Sequence, residues 1–288
     1  MCISEHFSYS FSLPSGQALP MQWNYNNEYV CVDSVSTHAH IHPYYEMYVY
    51  LSGDISFVAN HHIYDLKPGD IIFTEPNTMH HSVANSNCIH EHYCIFFYAI
   101  DENLSSIFSQ LAKQTYLHFS EEKRNVFLQL LKTVSKNFTT SDCDPFLRIA
   151  SIYELFSMLR HTVGYETFPE YPDPLQDILS YIGTHFAELH SLSPIRTQFF
   201  ISQSSLERLF RKHLQITPYQ YIHAIKMECA CRMLANGASV TDSAIKSGFS
   251  DVSHFIVDFR RRFDMTPNQY QNLMKQMHCA PKQQQSNV

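Results

Sequence analysis

The sequence predicts a two-domain α+β chain: an antiparallel β-barrel of jelly-roll type followed by helices, then an all-α domain. Three observations carry this. Residues 28–100 alternate short Val- and Tyr-rich runs with turn residues. Prolines crowd positions 169, 172 and 174, which favours an extended spacer and stops any helix. Beyond them, FRKHLQITPYQY (Phe210–Tyr221) recurs 49 residues later as FRRRFDMTPNQY (Phe259–Tyr270), with six of twelve positions identical. A repeat of this kind means that one small helical unit is built twice.

The length of 288 residues suits about two domains of roughly 100–200 residues each. Hydrophobic residues make up 44% of the chain, enough for real cores. No apolar run reaches the ~20 residues of a membrane span. The start, MCISEHFSYS, lacks a basic stretch before an apolar block, so no secretory signal is expected and the location predicted is cytoplasmic. Eight cysteines without a CxxC pair read as reduced thiols. The net charge of −7 conceals an asymmetry: residues 175–288 hold 12 Lys/Arg against 8 Asp/Glu, a balance of +4, while residues 1–174 hold 8 against 19, a balance of −11. An acidic domain joined to a modestly basic one allows phosphate binding at one end.

In the first domain, strands are expected at Glu28–Ser36, Tyr45–Leu51, Ile55–Ala59, Ile71–Thr74 and His92–Ile100, with turns at Gly53-Asp54 and Pro68-Gly69-Asp70. Residues two apart on a strand share a face, so His40 and His42 project together. With Glu46, and His80 from a facing strand, they could hold a divalent transition metal. The competing expectation is a metal-free pocket for a small polar effector, a sugar among the candidates, with Tyr48 added to the same four residues. Ten of the 18 histidines lie in the first 100 residues, so an HxH pair can arise by composition alone. No cofactor is required by the sequence. The run His40-x-His42…Glu46…Gly53 is similar to the first motif of the cupin superfamily, which implies a jelly-roll barrel with a metal or polar-ligand site. The second motif departs: the glycine expected between Pro76 and His80 is absent.

From about 102 to 163 the texture is helical, with Leu104, Ile107, Phe108 and Leu111, then Val126, Leu130 and Val134, at helical spacing. Asp144-Pro145 starts a stronger helix bearing Phe146, Ile149, Tyr153 and Phe156 on one stripe and Ile152, Leu155 and Leu159 on the next. Two apolar faces imply packing on the barrel, a homodimer seam, or both. Residues 1–165 thus form one domain for sensing and dimerisation, 166–174 a linker, 175–275 the second domain, and 276–288 a polar tail expected to be disordered.

The second domain opens with a core stripe of Ile178, Tyr181, Ile182 and Phe186, and Ser193-Pro194 starts a short helix. Ser202 caps a helix to about His213, with Leu206, Leu209 and Phe210 inward and Gln203, Ser204, Glu207, Arg208 and Arg211 outward. Helix, tight turn and capped helix make a helix-turn-helix. A connecting helix over about 219–234 leads to a second copy that turns at Gly248-Phe249, caps at Asp251 and ends near Phe263.

Residues 175–271 resemble the DNA-binding domain of the AraC/XylS family of transcriptional regulators. The matching residues include Ser202, Leu206, Arg208-Leu209-Phe210, Tyr221, Ala230, Leu234, Gly248-Phe249, Phe255, Phe259-Arg260-Arg261, Thr266-Pro267 and Tyr270. Departures are Arg196 for a small residue, Gln215 and Asp264 for turn glycines, and Ile256-Val257 for Ser-Arg. The resemblance implies a regulator, more often an activator, that binds double-stranded DNA as a homodimer, works with RNA polymerase, and senses an effector in its cupin-like domain. An α-helix fits the major groove, so Arg208 is expected to read guanine, with Gln203, Ser204 and Glu207 beside it. Ser253, His254, Ile256 and Val257 are the candidates on the second helix, the aliphatics through thymine methyls or, for Ile256, core packing instead. Arg211, Lys212, Arg260, Arg261 and Arg262 are expected on phosphates. The competing class is a cupin metal-dependent enzyme with an accessory helical domain, for which no catalytic residue is identified.

Overall fold

A computed structural model describes residues 5–12, 18–32, 39–97, 102–140, 142–162 and 174–279. The first domain comprises two antiparallel sheets. The larger has the order β1-β2-β8-β3-β6-β9, built from β1 (Glu5–Ser12), β2 (Ala18–Val30), β3 (Tyr45–Ser52), β6 (Ile71–Thr74), β8 (Cys88–Phe97) and β9 (Tyr116–Leu117). The smaller has the order β5-β4-β7, from β4 (Ile55–Ala59), β5 (His62–Asp65) and β7 (His80–Ala84). One core joins them, with Tyr48, Tyr50 and Ile72 of the larger sheet against Phe57, Ala59 and Tyr64 of the smaller. The two-domain α+β architecture is the expected one, with two packed antiparallel sheets where a jelly-roll barrel was expected.

Two strand expectations need correction. The strands of the first domain do not begin at residue 28: the β1–β2 hairpin starts at Glu5 and forms one edge of the larger sheet. Its sequence is rich in Ser, Asn and Gln, which mask the period-two pattern, although Met21 and Trp23 on β2 are buried. The facing strand expected to carry His80 is β7, whereas β5, the histidine-led run HIYD, has too little alternation to mark a strand. The expected strands at Glu28–Ser36 and His92–Ile100 run partly outside the described residues.

The outer face of the larger sheet is covered by α1 (Glu102–Ala112), α2 (Glu121–Thr139) and α3 (Pro145–Thr162). Met47, Val49, Phe73 and Ile95 of the sheet meet Phe108, Phe127, Leu131 and Phe156 of the helices in a second core. The second stripe of α3 is buried throughout, but the first is split between core and solvent. Ile152, Leu155, Phe156 and Leu159 are buried, whereas Phe146, Leu147 and Tyr153 face solvent.

The second domain runs from α4 (Leu175–His185) through a 3-10 turn at Phe186–Glu188, α5 (Ser193–Gln198), α6 (Gln203–Leu214), α7 (Pro218–Ala235), α8 (Val240–Lys246), α9 (Val252–Phe263) and α10 (Pro267–Cys279). The last helix continues four residues past the expected boundary at 275; residues 280–288, and the expected linker up to 173, lie outside the described residues. A proline spacer suggests independent domains, but the structure packs them together. Ile41, Val58, Ile63, Met79 and Val83 of the sandwich share one core with Leu179, Leu214, Ile225 and Met274 of the helical domain. Full burial of such side chains contributes about 1.5–3 kcal/mol each at the upper bound. Polar bonds cross the same seam, including Met79 N–H to Glu228 Oε2 (3.0 Å), Gln215 Nε2 to the Ala84 carbonyl (2.6 Å), and the Tyr270 hydroxyl to Asn77 Oδ1.

Candidate DNA interface and barrel site

The repeat can now be read atom by atom. Phe210 and Phe259 are fully buried, as are Tyr221 and Tyr270. Thr217 caps α7 by accepting from the Gln220 N–H (3.2 Å), and Gln220 Oε1 accepts from the Thr217 N–H (2.8 Å). Thr266 and Gln269 repeat this reciprocal box on α10 at 3.3 and 2.8 Å. Pro218 and Pro267 occupy the first helical turn, where a missing N–H costs nothing. Five of the six identical positions therefore serve the fold. The sixth, Arg211 and Arg260, is exposed in both copies.

Both recognition helices are capped as expected. Ser202 Oγ accepts from the Ser205 N–H at 3.1 Å, and Asp251 Oδ1 from the His254 N–H at 2.9 Å. The departures Gln215 and Asp264 keep the left-handed turn of the glycines they replace, at φ 55° and 53°. On α6, Gln203, Ser204, Arg208, Arg211 and Lys212 are exposed; Glu207 is half-buried and accepts from Gln203 Nε2 at 3.0 Å. On α9, Ser253, His254, Val257 and Arg260 are exposed.

Three of the candidate residues have partners within the fold. Ile256 packs against the core, as its position on the stripe with Phe259 and Phe263 allows. Arg262 is directed into the domain seam, where Nη2 donates to the Ala39 carbonyl at 2.5 Å. Arg261 is exposed but ion-paired to the buried Asp258, which also takes His223 at 2.6 Å. Asp258 and His223 were not singled out from the sequence. Their spacing within separate helices gives no local sign that they meet.

In the first domain, His40, His42, Glu46 and His80 converge, with ligand atoms all within 4.8 Å of one another. A two-way backbone bridge pairs His40 with His80, each N–H to carbonyl distance being 3.1 Å. Glu46 Oε2 lies 2.8 Å from Nε2 of both His42 and His80. Burial acts to raise the Glu46 pKa, but the two imidazoles overcome it and hold the carboxyl well below its ordinary value. Burial lowers His42; for His80 the adjoining carboxylate wins and the pKa rises. Tyr48 does not join the group: its hydroxyl is bonded to His90 Nε2 at 2.7 Å. Beyond the cluster the interior is filled by Tyr48, Phe57, His90 and His92 in ring contact. His40, by contrast, is exposed and lines a cleft of about 810 Å³ between the domains. Three imidazoles and a carboxylate fit a divalent transition metal.

A jelly-roll sandwich carrying a His/Glu cluster, joined to two capped helix-turn-helix units, defines the class of protein. A helix-turn-helix domain family matches residues 195–273, and a cupin domain family matches residues 30–96. Both matches support the likeness to the AraC family, with a cupin-like first domain. It is 31% identical over 115 residues to the HTH-type transcriptional activator RhaS of Escherichia coli, a match covering 40% of this chain and 41% of that protein. The chain thus spans about two fifths of the length of the curated relatives it matches. ToxT from Vibrio cholerae O395 is 15% identical, covering 94% of this chain and 98% of that one with a TM-score of 0.37. The C-terminal domain of the response regulator yesN from Fusobacterium nucleatum is 26% identical, covering 33% and 95%, with a TM-score of 0.32. Among the described residues, no helix is long and apolar enough to cross a membrane.

Proposed function

We propose that this chain is a sequence-specific DNA-binding transcriptional regulator, an activator whose cupin-like domain binds a small polar effector. The observation that carries the reading is the pair of capped helices. Each leaves a polar face in solvent, and each keeps one arginine, Arg211 or Arg260, that the fold itself does not use. Helices of this kind enter the major groove, where a guanidinium offers a bidentate fork to guanine and exposed cations grip phosphate. Arg208 is the base reader; Ser253, His254 and Val257 complete the reading on the second helix. Homodimerisation through the exposed Phe146, Leu147 and Tyr153 face of α3 belongs to the same reading.

The test is a binding titration against specific and random duplexes at several salt concentrations. Arg208→Ala should weaken specific binding by about 1–3 kcal/mol and relax selection at one position. Arg260→Ala should weaken all sequences alike and reduce the salt slope by about 1. Equal losses on specific and random DNA for Arg208→Ala would remove its assignment as a reader.

The His/Glu cluster is the one feature that favours a second reading, a metal-dependent cupin enzyme. The matched curated relatives are transcriptional regulators, which speaks for the first.

A further inference from the structure

The two helix-turn-helix units differ in the residue that makes the turn. Their first helices, α5 and α8, end in the same way: the Ile201 N–H donates to the Arg196 carbonyl at 3.1 Å, and the Phe249 N–H to the Ala244 carbonyl at 3.0 Å. Such an ending needs one left-handed residue just past the helix, usually glycine. In the second unit it is Gly248, at φ 85°. A side chain there would run into Ala187, whose Cα stands 2.7 Å from the Cβ position. In the first unit the left-handed residue is Phe200, at φ 50°. That backbone is strained for any residue with a Cβ, and most for a bulky one. The ring is 96% exposed, so no apolar burial offsets the strain. Its neighbours behave otherwise: Phe199 packs edge-on against Tyr181, with centroids 5.6 Å apart, and Ile201 lies against the core. Phe200 alone in this turn does nothing for the fold.

Its place in the chain says what it could meet. Phe200 stands two positions before Ser202, the cap of α6, and three before the exposed Gln203 that opens the helix. The second turn has one residue more, so Gly248 stands three positions before its cap, Asp251. From Ser193 to Leu206 there is no Asp or Glu, and Arg196 and Gln198 are exposed, so a phosphate backbone meets no repulsion here. A recognition helix contacts base edges through its N-terminal residues, and the apolar group that the major groove offers is the thymine C5-methyl, a partner suited to Phe. Resting on the reading of the chain as a DNA-binding regulator, we infer that Phe200 is a specificity-determining residue, packing on a thymine methyl at the edge of the segment that α6 reads.

The test removes the methyl and the ring separately. Duplexes are selected from a random pool by the full-length protein, and each thymine of the selected site is replaced in turn by uracil, which pairs alike but lacks the methyl. For the wild type, uracil at the contacted position should weaken binding about fourfold, the equivalent of one buried methyl-sized group. Phe200→Gly keeps the turn and should raise the urea midpoint by relieving the strain. It should also weaken the selected duplex by about tenfold, become indifferent to uracil at that position, and bind random duplexes as the wild type does. Phe200→Asn, which also accepts a left-handed backbone, should bind as Phe200→Gly does. Wild-type affinity and uracil response in Phe200→Gly overturn the inference; if promoter activation alone is lost, the ring serves a protein partner instead. Equal losses on selected and random duplexes also overturn it. If these results come while Arg208→Ala still weakens specific binding, the DNA reading stands without Phe200. If no duplex is selected at all, both fall.

Discussion

Gln215 and Asp264 end the two recognition helices in the left-handed region, which costs a side-chain-bearing residue roughly 1–2 kcal/mol relative to glycine. Their circumstances differ. The Gln215 amide reaches across the seam to the Ala84 carbonyl, whereas Asp264 is exposed. Asp264→Gly should therefore stabilise the protein by about 0.5–1 kcal/mol in urea melts, while Gln215→Gly should gain little or lose, because it frees the backbone but removes a bond across the seam. The sequence marks both positions as departures from a glycine pattern. It cannot separate them, because the partner of Gln215 lies 131 residues away. The same limit applies to Arg262: a third arginine in a basic run reads as a phosphate ligand until the Ala39 carbonyl is found beside it.

At the scale of elements, helices were more legible than strands. Caps, prolines and the 3.6-residue stripe are local, and they place α6 and α9 to within a residue. The β1–β2 hairpin was missed because Ser, Asn and Gln fill its sequence, and pairing with β8 gives it its place. Helix α3 shows what periodicity can and cannot say. Its two apolar stripes are evident in the sequence, but only packing reveals that Ile152 and Phe156 turn inward while Phe146 and Leu147 stay in solvent. A patch of that kind on one helix suits a second copy of the chain. If α3 is the dimer seam, Leu147→Glu should shift the sedimenting mass towards the monomer with little change in melting temperature. An unchanged dimer would move the seam elsewhere.

For the whole molecule, the seam between domains is built partly from histidines held neutral. Burial pushes His61 and His81 down to about 4; His61 Nδ1 lies 3.0 Å from the Tyr221 hydroxyl and His81 Nε2 donates to the Leu214 carbonyl at 3.1 Å. An unfolded histidine titrates near 6.5, so between 6.5 and 4 the unfolded chain binds protons that the folded chain refuses. Stability from this source is complete above about pH 6.5 and is lost as pH falls towards 4, at about 1.4 kcal/mol per pH unit for each histidine. Denaturant melts from pH 7 to 5 should follow that slope, and His81→Asn should flatten it.

The shared core also has a consequence in time. A ribosome completes the sandwich before it makes the helices that cover Ile41, Val58, Ile63, Met79 and Val83. At about 5–20 residues per second, the remaining chain takes on the order of ten seconds or more to emerge. During that interval the nascent first domain carries an open apolar face. A fragment ending near residue 165 should accordingly aggregate or bind hydrophobic dyes when expressed alone, and chain-wide slowing of translation should lower the yield of soluble full-length protein.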